Sequence, residues 1–137
     1  MSRLVNYYLD LAKRTAELSR AKKLKVGAII VTADDALVYG WNGTPTGWDN
    51  TCEEVLTDGS LKTFDYVLHA EMNAISKLAK STLSGRGASL FLTHSPCIHC
   101  AKSVFQAGIE HIYYLEDYRS HDGVVFLQQC GVNVRKI

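Results

Sequence analysis

The sequence predicts an α/β fold, a mixed sheet with helices over both faces. Three observations carry that expectation. An unbroken apolar run, Val26 to Val31, is followed by Asp34-Asp35 and a second run from Leu37 to Trp41, which reads as a hairpin. From residue 69 onward, helical and extended segments alternate, as they do when strands are joined by crossovers. The chain has 137 residues, enough for one core and short for two, so residues 1–137 are read as a single domain.

The first element is a helix. Residues 4–19 place Leu4, Tyr8, Leu11, Thr15 and Leu18 at helical spacing, with Val5, Leu9, Ala12 and Ala16 widening the stripe. Arg20, Lys22, Lys23 and Lys25 follow. Val26 to Val31 lacks alternation and reads as a strand buried on both faces. Residues 42–66 show no period and contain Gly43, Pro45, Gly47, Asp49, Asn50, Asp58 and Gly59, so they read as one long loop. Residues 69–80 form a helix with Ala70, Ala74, Ile75, Leu78 and Ala79 inward, and Gly85 and Gly87 interrupt the chain after it. Ala88 to Thr93 is a strand, and Pro96 to Ala107 a helix stopped by Gly108. Ile109 to Leu115 is a strand, Asp122 to Gln129 a short helix ending at Gly131, and Val132 to Ile137 a last strand. The order is α-β-β-α-β-α-β-α-β.

Composition narrows the function. A net charge of +1 argues against a broadly basic, nucleic-acid-coating surface. No apolar run approaches the roughly 20 residues that cross a bilayer. The opening Met-Ser-Arg-Leu-Val-Asn-Tyr-Tyr has no apolar signal core, so the expected compartment is cytoplasmic. Of the four cysteines, Cys97 and Cys100 form a Cys-x-x-Cys pair, which in such a compartment reads as metal or redox chemistry. Cys52 and Cys130 read as single thiols, Cys130 as a buried small hydrophobe.

The chemistry concentrates in His69-Ala70-Glu71 and Pro96-Cys97-Ile98-His99-Cys100. Three apart on a helix, the two thiols share a face. With Ser95 as cap and Pro96 first in the helix, both fall in the first turn, where the helix dipole favours thiolate. Two thiolates and an imidazole select zinc, and three protein ligands leave a fourth position for water, the pattern of a catalytic site. Side chains lean back past a helix start, so His69 and Glu71 can reach one point beyond it. Zinc brings the pKa of a bound water to about 7, and Glu71 then carries its proton without being a ligand. His-x-Glu followed by Pro-Cys-x-x-Cys is a recognised signature of zinc base deaminases. A structural zinc site with His99 or Cys52 as fourth ligand, or a reduced dithiol, is the plainer alternative; His99 is expected to face outward.

These residues resemble the zinc-dependent cytidine and deoxycytidylate deaminase family, and the likeness runs from Val26-Gly27-Ala28 to the last strand. Within it the chain looks most like the deoxycytidylate branch, through Gly40-Trp41-Asn42-Gly43-Thr44-Pro45-Thr46-Gly47, His69-Ala70-Glu71-Met72-Asn73-Ala74-Ile75, Thr93-His94-Ser95-Pro96-Cys97 and Tyr118-Arg119. Trp41 stands where that branch more often has tyrosine. The resemblance implies a three-layer α/β/α sandwich with a five-stranded mixed sheet in the order 2-1-3-4-5, strands four and five parallel. It implies one catalytic Zn2+ per chain on His69, Cys97 and Cys100, with Glu71 catalytic, and hydrolysis of dCMP to dUMP and ammonia, supplying dUMP for thymidylate synthesis.

The resemblance further implies that Asn42 bonds the deoxyribose 3′-hydroxyl and that the backbone at Ala70 and Ser95 reads the pyrimidine edge and the departing amine. Tyr118 and Arg119 would handle the 5′-phosphate, with Lys23 as a second phosphate group; Lys22 and Lys25 can exchange roles with it. It implies a homo-oligomer, hexameric in that branch, activated by dCTP and inhibited by dTTP, a triphosphate effector bringing Mg2+. Gly43, Thr44, Gly47, Lys77 and Lys80 match the regions implicated in that control. His94 stands between a pocket wall and a surface residue. A deaminase of the same fold acting on free nucleoside, nucleobase or tRNA adenosine is the enzyme rival. A nucleotide-binding module that kept the metal is the non-enzyme rival, and the intact Glu71 speaks against it.

Overall fold

A computed structural model describes residues 2–137. Helix α1 spans Ser2–Ala16, strand β1 Gly27–Val31, β2 Leu37–Trp41, β3 Glu53–Val55 and β4 Leu61–Thr63. They are followed by α2 Ala70–Ala79, β5 Ser89–His94, α3 Ile98–Gln106, β6 His111–Glu116, α4 Asp122–Gln129 and β7 Asn133–Lys136. Five strands form one sheet in the order β2-β1-β5-β6-β7, and β3 and β4 form a separate hairpin. Counting the large sheet alone, this is the expected 2-1-3-4-5. β1 runs antiparallel to β2 and β5, while β5, β6 and β7 run parallel.

Side chains on successive strand residues point to opposite faces, and the core divides accordingly. Ala28, Ile30, Leu90, Leu92, Ile112 and Tyr114 pack with Ala70, Ala74 and Leu78 of α2, Ala101 and Val104 of α3, and Val124 and Leu127 of α4. Ile29, Val31, Phe91 and Tyr113 face Val5, Leu9 and Ala12 of α1. The sheet therefore lies between α1 alone and three helices, and the continuous apolar run of β1 follows from burial on both sides.

Two close approaches set the helices that matter for the site. A Cβ at Gly40 of β2 would overlap the Ala70 carbonyl oxygen and lie 2.6 Å from the Ala74 nitrogen, so α2 rests on bare backbone. A Cβ at Gly123 of α4 would overlap the Pro96 carbonyl oxygen and lie 2.8 Å from the Cys97 carbonyl carbon. At the rim of the sheet, Asn73 Nδ2 donates to the Trp41 carbonyl (2.7 Å) and Lys77 Nζ to the Tyr39 carbonyl (2.6 Å). The Lys77 ammonium also lies 3.7 Å from the Tyr39 ring centroid, and Tyr39 stacks on Trp41.

Several expectations are corrected. The long loop over 42–66 contains the β3–β4 hairpin, turned at Gly59 in the left-handed region (φ 85°), with the Asp58 carboxylate accepting the Ser60 N–H. Three-residue strands are too short to show a period. Helix α1 ends at Ala16, and Leu4 and Leu18 are exposed; Ser19 Oγ donates instead to the Asn42 carbonyl. Ser95 does not cap α3: its N–H donates to the Glu116 carbonyl (2.9 Å) and its Oγ accepts the Tyr118 N–H (2.7 Å). The chain is still held to β6 at that point, so the helix starts two residues later than expected and Cys97 takes the cap position. Cys130 is half-buried against the core rather than sealed in it.

Candidate active site

The starts of α2 and α3 meet. His69 is the cap residue of α2, with extended backbone (φ −73°, ψ 158°), and Cys97 that of α3 (φ −72°, ψ 167°). Neither uses its side chain to cap its own helix. Both turn toward each other instead: His69 Nδ1 lies 3.5 Å from Cys97 Sγ and 3.3 Å from Cys100 Sγ. Among the described residues, His69, Cys97 and Cys100 form the group of histidine, cysteine and acidic side chains whose ligand atoms all fall within 4.8 Å of one another. Bond lengths of 2.3 Å to sulfur and 2.0–2.1 Å to nitrogen at tetrahedral angles require S···N edges of about 3.5 Å. The three residues present therefore fit zinc in both chemistry and spacing.

The electrostatics agree. The Cys100 thiol holds the Cys97 thiol down to about 3, and the His69 ring adds to this; in return the Cys100 thiol is pushed up. Cys97 raises His69 in turn. The thiolate is the ligating form of cysteine, so a sulfur held down in this way is suited to a metal ion. Glu71, in the first turn of α2 and 4% exposed, is pushed up to about 7 by burial. A carboxyl so placed is suited to both take and give a proton near neutral pH.

These groups open on a cavity of about 520 Å³. His69, Ala70, Glu71, Ser95 and Cys97 line it, and so do Lys23, Asn42, Tyr118 and Arg119. Cys100 is buried beneath. Gly43, Thr44, Gly47, Lys77 and Lys80 are not part of its lining; Gly43 is bridged to Leu68, and Lys77 is engaged at the rim of β2. His99 is exposed, as expected, and Cys52 is buried away from the cluster. The Arg119 guanidinium lies 5.4 Å from the Tyr118 ring centroid. Asn42 spends most of its amide on the wall: Oδ1 accepts the Val26 N–H (2.9 Å) and Nδ2 donates to the Leu24 carbonyl (2.8 Å).

The sequence profile described as the cytidine and deoxycytidylate deaminase zinc-binding region matches residues 2–116. The chain belongs to this family. It is 37% identical to ComE operon protein 2 of Bacillus subtilis, over 96% of this chain and 69% of that one. It is 32% identical to human deoxycytidylate deaminase, over 95% of this chain and 77% of that one. The crystal structure of dCMP deaminase from cyanophage S-TIM5, in complex with dCMP and dUMP, superposes with a TM-score of 0.91 at 45% identity, covering 100% of this chain and 98% of that one.

Three wall groups of this deaminase-family cavity were not singled out in the sequence or were left open there. His94 lines it, with Nδ1 2.8 Å from Thr93 Oγ1 and Nε2 3.2 Å from Glu116 Oε2. Thr93 Oγ1 also accepts the Gly27 N–H, which ties His94 to the start of β1. Glu116 lines the cavity, as does buried Glu53. Glu53 belongs to a stretch without period, and its partners lie thirty residues back, so only an acidic residue beside an apolar cysteine marked it. Among the described residues no helix is long and apolar enough to cross a membrane.

Proposed function

We propose that the chain, with residues 1–137 working as one domain, catalyses the zinc-dependent hydrolysis of dCMP to dUMP and ammonia. The observation that carries the reading is a single cavity uniting the His69, Cys97 and Cys100 cluster and Glu71 with the cationic groups of Lys23 and Arg119. Family membership and the likeness to dCMP deaminases support the same substrate class. His69, Cys97 and Cys100 hold Zn2+, which when bound supplies a Lewis acid that makes water a nucleophile at neutral pH.

Glu71 takes one proton from water as its oxygen adds to C4 of the pyrimidine, and delivers it to N3. It then moves the second to N4, so the amine departs as ammonia and the oxygen remains as the carbonyl of dUMP. The backbone at Ala70 and Ser95 orients the base and the leaving amine. Arg119 and Lys23 hold the 5′-phosphate, Tyr118 beside them, and the free Asn42 N–H meets the 3′-hydroxyl.

The same reading places the enzyme upstream of thymidylate synthesis, as a cytoplasmic homo-oligomer on the hexameric pattern. dCTP, with Mg2+, activates through Gly43, Thr44, Gly47, Lys77 and Lys80, and dTTP inhibits. Family resemblance is the support for this control. Sigmoidal dCMP kinetics should become hyperbolic with dCTP, and kinetics indifferent to both triphosphates would remove it.

The decisive experiment is ammonia release from dCMP, CMP, deoxycytidine, dCTP and a tRNA anticodon stem, with bound metal quantified. dCMP should exceed deoxycytidine by orders of magnitude in kcat/KM. Equal rates would overturn the roles of Lys23, Tyr118 and Arg119.

A further inference from the structure

Glu116 closes β6 and lines the cavity, with its side chain 72% exposed. In the β5–β6 register it stands beside His94, whose Nε2 lies 3.2 Å from Glu116 Oε2. Alternation along the strands puts both on the face of Leu92 and Tyr114, which pack among α2 and α3. The carboxylate therefore lies on the side of the sheet that carries the metal-ligand cluster. Three residues on, Arg119 lines the same cavity. The turn between them is pinned: the Ser95 N–H donates to the Glu116 carbonyl (2.9 Å), and the Tyr118 N–H donates to Ser95 Oγ (2.7 Å). Three residues of chain reach at most about 11 Å, so the guanidinium and the carboxylate leave one short stretch of wall.

The charges on this wall are answered unevenly. Its lysine and arginine are Lys23 and Arg119. Asp117 is met from outside the cavity by Lys136 Nζ (2.7 Å), and Glu53 by the Lys22 and Lys23 N–H groups. Glu116 has a histidine ring beside it, which carries charge only when protonated. Two cations match the dianion of a phosphate monoester. A diphosphate brings further negative charge to the same wall, finds no further lysine or arginine among the lining residues, and meets the Glu116 carboxylate. We propose that Glu116 is a specificity-determining residue: its carboxylate, held at the cavity wall by His94, repels a β-phosphate and confines the substrate to the nucleoside monophosphate. Like charge set against the wrong ligand discriminates without adding any contact to the right one. This rests on the reading of the cavity as a deoxycytidylate deaminase site, with Lys23 and Arg119 on the phosphate.

The zinc-loaded protein is assayed for ammonia release from dCMP and from dCDP. The wild type should prefer dCMP by at least about 10-fold in kcat/KM, the size of one unit-charge repulsion across several ångströms near a protein surface. Glu116→Gln keeps an oxygen beside His94 and removes the charge. Its kcat/KM for dCDP should rise about 10-fold and for dCMP by less than about 3-fold, so the gap narrows. Glu116→Lys, which reverses the charge, should narrow it further. Raising the salt from about 0.05 M to about 0.5 M should narrow the wild-type gap and leave that of Glu116→Gln nearly as it was. A gap that both variants leave intact overturns the proposal, and so does a wild-type gap indifferent to salt. A purely structural role would lower both substrates together, which also overturns it. Equal rates of the wild type on both nucleotides overturn it without any variant. A wild type that releases no ammonia from dCMP overturns the deaminase reading itself.

Discussion

Two regions build the cavity in opposite ways. The metal-ligand end consists of two helix starts pressed onto backbone at Gly40 and Gly123, with ligand atoms 3.3–3.5 Å apart. The wall at residues 42–68 is loop around the short β3–β4 hairpin, held by side chain to backbone bonds from Asn42, Asn73, Ser19 and Glu53. On the proposed reading, rigid elements hold the reacting groups and a pinned wall receives the substrate. Changes at the first should therefore strike turnover and metal content, and changes at the second should strike KM.

The largest effect is expected at the metal end. Cys97→Ala should lose zinc and ammonia release together, read by elemental analysis beside the assay. A fully active, metal-free variant would break the comparison at its root. Next, Glu71→Ala should retain zinc and fold while kcat falls by about 10²–10⁴, the usual range for a proton carrier. Substantial residual turnover would mean the proton moves by another group.

Gly123→Ala places a methyl group against the Pro96 and Cys97 backbone. It should cost about 1–3 kcal/mol and weaken zinc retention, although residue 123 touches no metal ligand side chain. Melting curves and chelator competition measure both. On the loop side, Asn73→Ala frees the Trp41 carbonyl and costs about 1 kcal/mol. KM for dCMP should rise several-fold, with a smaller change in kcat; a kcat-only effect would place Asn73 with the metal end instead. The smallest effect is expected for Lys77→Ala, which removes a cation–π contact worth about 0.5–1 kcal/mol and should shift the melting temperature by a few degrees.

The same contrast governs what could be read from the chain. The helix-end chemistry was legible because its determinants are local: His69 and Glu71, like Cys97 and Cys100, are two or three residues apart, and the elements around them have clear periods. The 2-1-3-4-5 order came with family resemblance, and the sheet has it. Ser95 misled because a serine before Pro96 is a good cap locally, whereas its Oγ is claimed by Tyr118, 23 residues ahead. The β3–β4 hairpin carried an Asp58-Gly59 turn signal, but its strands were too short to register. Glu53 and Asn73 act through backbone groups 30 to 32 residues away, which no spacing rule reaches. Gly40 and Gly123 mark close approaches that exist only once helix meets sheet.

Asn73 and Lys77, one turn apart on α2, occupy two of the carbonyls, those of Trp41 and Tyr39, that β2 would offer to an added strand. An extended segment from another molecule would have to evict an amide and an ammonium before zipping onto that border. That margin of the sheet is thereby guarded from the runaway strand-by-strand growth that bare margins invite.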